Sequence, residues 1–240
     1  MDDFYGTELA DSENAHSRVR LRLETRYDEV DDFEFKVKVR AKVQLPKMSK
    51  RAALILEGDD GDEYTAPGVP DDDDTNIGLQ FNLMDSDEKR LRFDVIGTVN
   101  SSLDLRTGVR MRYNGSFTEG FSTRWVQDVA YQTGDRGAFT KTNLDFFQHV
   151  DDNNQIAFIN RLEYGEDTYG VEWNSSLQWR KRLDNEEALS YFIGMDGVTD
   201  PLNIVENYGL GLSYRRNIYR DFISVDVEPS HWWRELAGWE

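Results

Sequence analysis

Apolar and polar residues alternate with period two through most of this chain, and the alternation is cleanest where the composition is most charged. Phe33, Phe35, Val37, Val39, Ala41, Val43 and Leu45 fall on one face, against Glu34, Lys36, Lys38, Arg40, Lys42 and Gln44 on the other. A helix, stepping 100° per residue, would scatter those charges around its whole circumference, so the run predicts a strand with one apolar side. Val19, Leu21, Leu23 and Tyr27 oppose Arg18, Arg20, Arg22, Glu24 and Arg26 in the same way. Further segments begin near Ala52, Ile77, Leu91, Leu105, Phe121, Ala138, Gln155, Tyr169, Leu189, Tyr208 and Phe222, giving about thirteen strands. Most connections are short and polar, which favours antiparallel neighbours and an up-and-down meander. Connections at one end are expected to be tight (Pro46–Lys50, Asp85–Lys89, Asn114–Gly120, Asp151–Asn154, Arg182–Glu187, Arg216–Arg220). The other end carries the long acidic excursion Gly58–Asn76 and the segment Asp196–Asn207.

Alternation alone does not say whether the apolar face meets a protein core or lipid. Two features favour lipid. Aromatic residues sit on the apolar face near strand ends, at Tyr27, Phe33, Tyr113, Phe121, Tyr131, Tyr169, Trp179, Tyr208 and Tyr214, where an interfacial girdle would lie. Trp125 and Trp173 are read as lipid-facing anchors as well. The polar face carries a basic ladder of Arg18, Arg20, Arg22, Lys36, Lys38, Arg40, Lys42, Arg90, Arg92, Arg106, Arg110 and Arg112, with Glu24, Glu34, Asp94, Asp104, Glu172 and Asp226 as acids it could meet across a wet lumen. Thr123, Gln127, Thr140, Thr142 and Asn160 interrupt the apolar face without adding charge to it. The fold expected is all-β: an antiparallel up-and-down transmembrane β-barrel of about 12–14 strands. Residues 1–16 are a polar N-terminal segment, 17–230 the barrel, and 231–240 a C-terminal remnant.

Composition narrows the function classes. A net charge of −18 opposes nucleic-acid binding, which needs a concentrated basic face. Cysteine is absent, removing disulfides and thiolate metal sites. A mean hydropathy of −0.70 and the lack of any apolar run of about 18 residues exclude a membrane-spanning helix but not membrane-spanning strands. The opening Met1-Asp-Asp-Phe-Tyr has no signal-peptide character.

The segment NYGLGLSYRRNIYRDFISVDVEP, Asn207–Pro229, is a hairpin in which Tyr208, Leu210, Leu212 and Tyr214 share one face and Ile223, Val225 and Val227 another. It resembles the C-terminal hairpin of outer-membrane β-barrel proteins of Gram-negative bacteria to which no activity is attached. The resemblance implies fold and outer-membrane location, and with them contact with outer-membrane lipid and the barrel-assembly machinery. It also raises the expectation of a fourteenth, closing strand and a signal segment outside this chain, because bacterial barrels ordinarily close with an even count.

Candidate chemistry is sparse. His16, His149 and His231 lie outside strand centres, and no His-x-Ser pairing of the outer-membrane phospholipase kind occurs. No catalytic residue and no cofactor are expected. Asp59, Asp60, Asp62, Asp71 and Asp72 are weak candidates for divalent cations, without the spacing of a calcium loop. The function expected is a structural or porin-like small-solute passage role. The lumen ladder would favour anions if open, or would stand paired with acids if the bore is plugged. The competing class is a soluble or periplasmic β-barrel or sandwich that binds a ligand or protein partner.

Overall fold

The structure is a computed structural model and describes residues 18–28, 32–44, 52–57, 76–86, 90–100, 102–219 and 223–234. Thirteen strands account for nearly all of them. They are β1 (Arg18–Asp28), β2 (Asp32–Gln44), β3 (Ala52–Glu57), β4 (Asn76–Ser86), β5 (Leu91–Asn100), β6 (Leu105–Thr118), β7 (Phe121–Gln132), β8 (Gly137–His149), β9 (Asn154–Gly165), β10 (Val171–Arg182), β11 (Glu187–Val198), β12 (Ile204–Tyr219) and β13 (Ile223–Arg234). No helix occurs among the described residues.

From β4 to β13 each strand is antiparallel to its neighbour in sequence, forming a continuous meander of ten strands. Pairing continues through β3 and β2 to β1, which lies parallel to β13 in a register from Val19↔Ile223 to Asp28↔Trp232, and the hydrogen-bonded ring is thereby closed. An odd number of up-and-down strands leaves the first and last pointing the same way, so a parallel seam is the geometric consequence. β13 therefore has β1 as its neighbour on the side away from β12. The supposed remnant at 231–240 also begins inside a strand, because β13 runs on to Arg234.

Several strands extend further than their apolar alternation suggests. The turn expected at Asn114–Gly120 shrinks to Glu119-Gly120, since β6 continues to Thr118 through a bulge near Ser116. Likewise β12 reaches Tyr219, taking in Arg215 and Arg216, which the sequence pattern placed in a turn. A second bulge, between Asn82 and Met84, sets Leu83 and Met84 both outward. The expected turns Pro46–Lys50 and the acidic stretch Gly58–Asp74 fall outside the described residues. The described connections at the two rims are all short, so the expected difference between tight and long ends rests on that undescribed stretch.

The polarity of the sheet is inverted relative to a water-soluble barrel. Phe33, Val129 and Ile193 on the outside are 67%, 61% and 57% exposed, whereas Arg110, Asp94 and Arg180 on the inside are 1%, 0% and 0% exposed.

Candidate functional site: the ion-paired bore

Inward positions of β4–β9 are tied by carboxylates, each spanning neighbouring strands. Asp94 on β5 accepts from Asn82 Nδ2 on β4 at 3.2 Å and Arg92 Nε at 3.1 Å, and its second oxygen lies 3.1 Å from Arg112 Nη1 on β6. Asp128 on β7 receives Arg110 in a two-pronged pair, both prongs 2.7 Å. Asp145 on β8 lies 3.3 Å from Arg124 Nε on β7 and accepts from Arg161 Nη1 on β9 at 2.6 Å. Glu163 on β9 is bridged by Arg136 and, at 3.3 Å, by Lys141. Across the ring, Arg215 on β12 donates to both oxygens of Asp226 on β13, at 2.5 and 3.0 Å. Arg180 on β10 donates from Nε and Nη2 to Gln178 Oε1 at 3.0 and 2.8 Å.

Buried charges of this kind persist only when paired, because the low-dielectric interior repays desolvation only through close geometry. Aromatic residues also sit on the inner face. Phe192 lies over Gly211 and Trp232 over Gly209, each ring occupying the place a Cβ would take. Phe139, also inward, has the guanidinium carbons of Arg136 and Arg106 at 4.3 and 4.8 Å from its ring centroid. The described inner wall thus combines ion-paired polar groups with buried apolar and aromatic side chains.

The ladder expected from sequence is partly brought together. Arg92, Arg106, Arg110, Arg112, Asp94 and Asp226 all face inward, and Arg92 is half-buried at the edge of the paired layer. Arg90 does not belong to it: with φ 51° it occupies the turn before β5 and is exposed. Asp104 is also corrected, since it closes the β5–β6 turn, where Asn100 Nδ2 reaches its carboxylate at 3.3 Å. Glu172 is inward but stands in register with another acid, Glu163. Arg18, Arg20, Arg22, Glu24, Glu34, Lys36, Lys38, Arg40 and Lys42 lie on β1 and β2, and their side chains are outside the described set. So are the cation candidates Asp59, Asp60, Asp62, Asp71 and Asp72; among the described residues no three acids or histidines are placed to hold a metal.

Asp128, Asp145, Arg124, Arg161 and Arg215 are central to the bore and were missed by reading the ladder only where arginine repeats at every second position. Parity would have found them, because Arg124 and Asp128 oppose the outward Trp125 and Val129.

Outside, Tyr27, Phe33, Tyr113, Tyr131, Tyr169, Trp179 and Tyr208 are exposed, and Phe121 and Tyr214 half-buried. The polar interruptions of that face form their own hydrogen bonds. Gln127 Nε2 donates to Thr140 Oγ1 at 2.6 Å, Thr142 Oγ1 to Gln127 Oε1 at 2.8 Å, and Ser175 Oγ to Asn160 Oδ1 at 2.9 Å. Thr123 Oγ1 donates to the Asp145 carbonyl at 2.8 Å. His149 meets Gln155, while His231 stacks on Tyr27 with ring centroids 5.4 Å apart and meets Trp233 edge-on at 4.4 Å. Compared with known proteins, the chain matches no protein-family description, no curated protein and no solved structure.

Proposed function

We propose that this chain is a membrane-embedded β-barrel of the outer-membrane type, serving as a narrow passage for small solutes that is closed at rest by its own ion pairs. The observation that carries the reading is the inverted polarity: charged side chains are buried inside while large apolar side chains stay exposed around the outside. Water on both sides would leave that outer face unsatisfied, whereas lipid outside suits it. The self-bonded belt of Gln127, Thr140, Thr142, Asn160 and Ser175 is the feature that favours a wet exterior, and so a soluble ligand-binding barrel. Its mutual hydrogen bonds lower the cost of facing lipid and keep the membrane reading ahead. Because acids hold many of the inward cations, the passage is assigned no preference for anions.

Detergent-dependent extraction and heat-modifiable gel mobility test the location: a chain that fractionates as a soluble monomer overturns it. Liposome swelling tests the passage. Slow entry of small neutral solutes without steady ionic current is expected, and complete impermeability reduces the role to a structural one.

A further inference from the structure

One row of inward residues crosses five strand boundaries in direct register: Asn143↔Arg161, Arg161↔Asn174, Asn174↔Asp196, Asp196↔Asn207 and Asn207↔Arg234. Asn143 and Asn174 are 2% and 6% exposed, with the half-buried Arg161, paired to Asp145, between them; Asp196 and Asn207 are half-buried and Arg234 is exposed, so the row runs from solvent into the wall. Buried polar atoms without a hydrogen-bond partner occur elsewhere in the wall as well, at Thr98 Oγ1, Ser190 Oγ and Arg124 Nη2 among others, but this row brings three amides with such atoms into register. Here neither Nδ2 nor Oδ1 of Asn174 has a hydrogen-bond partner, nor has Nδ2 of Asn143 or Oδ1 of Asn207.

A buried amide with unspent hydrogen-bonding capacity destabilises the fold, and β-sheet packing offers no reason to keep two in one row. An amide supplies a donor and an acceptor side by side, which matches a hydroxyl or a pair of adjacent hydroxyls and does not select for net charge. We propose that this row is a binding site for a small, uncharged, hydroxyl-rich solute, with Asn174 and Asn143 as its buried contacts and Asn207, oriented by its 2.7 Å bond to Asp196, at the entrance. This deepens the passage reading by naming the solute class, and it rests on the bore, not on membrane insertion.

Saturation-transfer difference NMR on the full chain, with erythritol as the neutral probe and acetate as the anionic one, tests it. Saturable erythritol binding is expected, weakened roughly fivefold to tenfold in Asn174→Leu and in Asn143→Leu, as for loss of one or two hydrogen bonds. Asn160→Leu, an amide removed from the outward face of the same sheet, should bind as wild type. Circular dichroism melts establish that each variant is folded; if Asn174→Leu fails to fold, Asn174→Asp replaces it and should weaken binding similarly. Absence of saturable erythritol binding by wild type, equal binding by the Asn174 variants, or preference for acetate overturns the proposal. Location is scored separately by extraction, so either reading can fall without the other.

Discussion

At Arg110 two nitrogens meet two oxygens of Asp128, with both side chains almost wholly removed from solvent. Substituting Asp128→Ala strands a buried guanidinium and should cost about 3–5 kcal/mol, whereas Arg110→Met combined with Asp128→Leu should come much closer to wild type. Urea unfolding of the two variants in phospholipid vesicles checks this, and equal losses would mean the pair is not the stabilising unit. At the rim the reasoning is different, because the groups there are wet. Asp151, in the β8–β9 turn, accepts from the backbone N–H of Asn153 at 2.8 Å and from the Asn154 side chain at 2.9 Å. Those bonds, the Asn153 amide foremost, hold its carboxyl below the ordinary value of 3.8. A lowered folded pKa means the carboxylate's contribution is fully present above 3.8 and is lost as pH falls through the folded value. Asp151→Ala should therefore melt lower than wild type at pH 6, with the difference shrinking as pH falls below 3.8, as thermal melts across that range would show.

Strands carry the next level of constraint. Gly211 on β12 is required by its neighbour, since a Cβ there would come within 2.5 Å of Phe192 Cζ and 2.7 Å of the Pro229 carbonyl oxygen. Gly211→Val should cost about 1–3 kcal/mol, and the loss should be smaller, though not absent, in a Phe192→Ala background, where only the backbone contact remains. A double-mutant cycle by urea unfolding measures the coupling. Strand number and facing were legible in the residues because period-two alternation is a local property: Tyr208 and Leu210 stand outside, and Ser213 and Asp226 inside, as parity requires. Strand ends were less legible. Arg215 and Arg216 break the apolar pattern and read as a turn, yet the Arg215–Asp226 pair lets β12 continue past them. Pairing partners, bulges and the unspent amides depend on register between segments, which no single stretch of sequence encodes.

For the whole molecule the deciding property is which solvent its outside requires. Leu177 lies at mid-strand on β10, facing out and 45% exposed. In a bilayer Leu177→Arg should cost about 2–4 kcal/mol, while in water the same change on an exposed position should cost almost nothing. Comparing its unfolding in vesicles with that of wild type separates the two environments; an unchanged midpoint would count against lipid contact. The inward pairing, by contrast, should respond little to added salt, since buried pairs are weakly screened.

The parallel seam between β1 and β13 also sets a schedule. The two edges that must meet belong to the first and last strands of the ring, so every other pairing can form between strands adjacent in sequence while this one waits. The loop-closure entropy of bringing distant ends together grows only logarithmically with length, so the wait adds little to the equilibrium cost. It matters in time. Until Ile223–Arg234 is in place, the β1 edge is a row of unpaired amides and carbonyls able to template another chain, and a chain cut short before that point would form a sheet prone to join its neighbours.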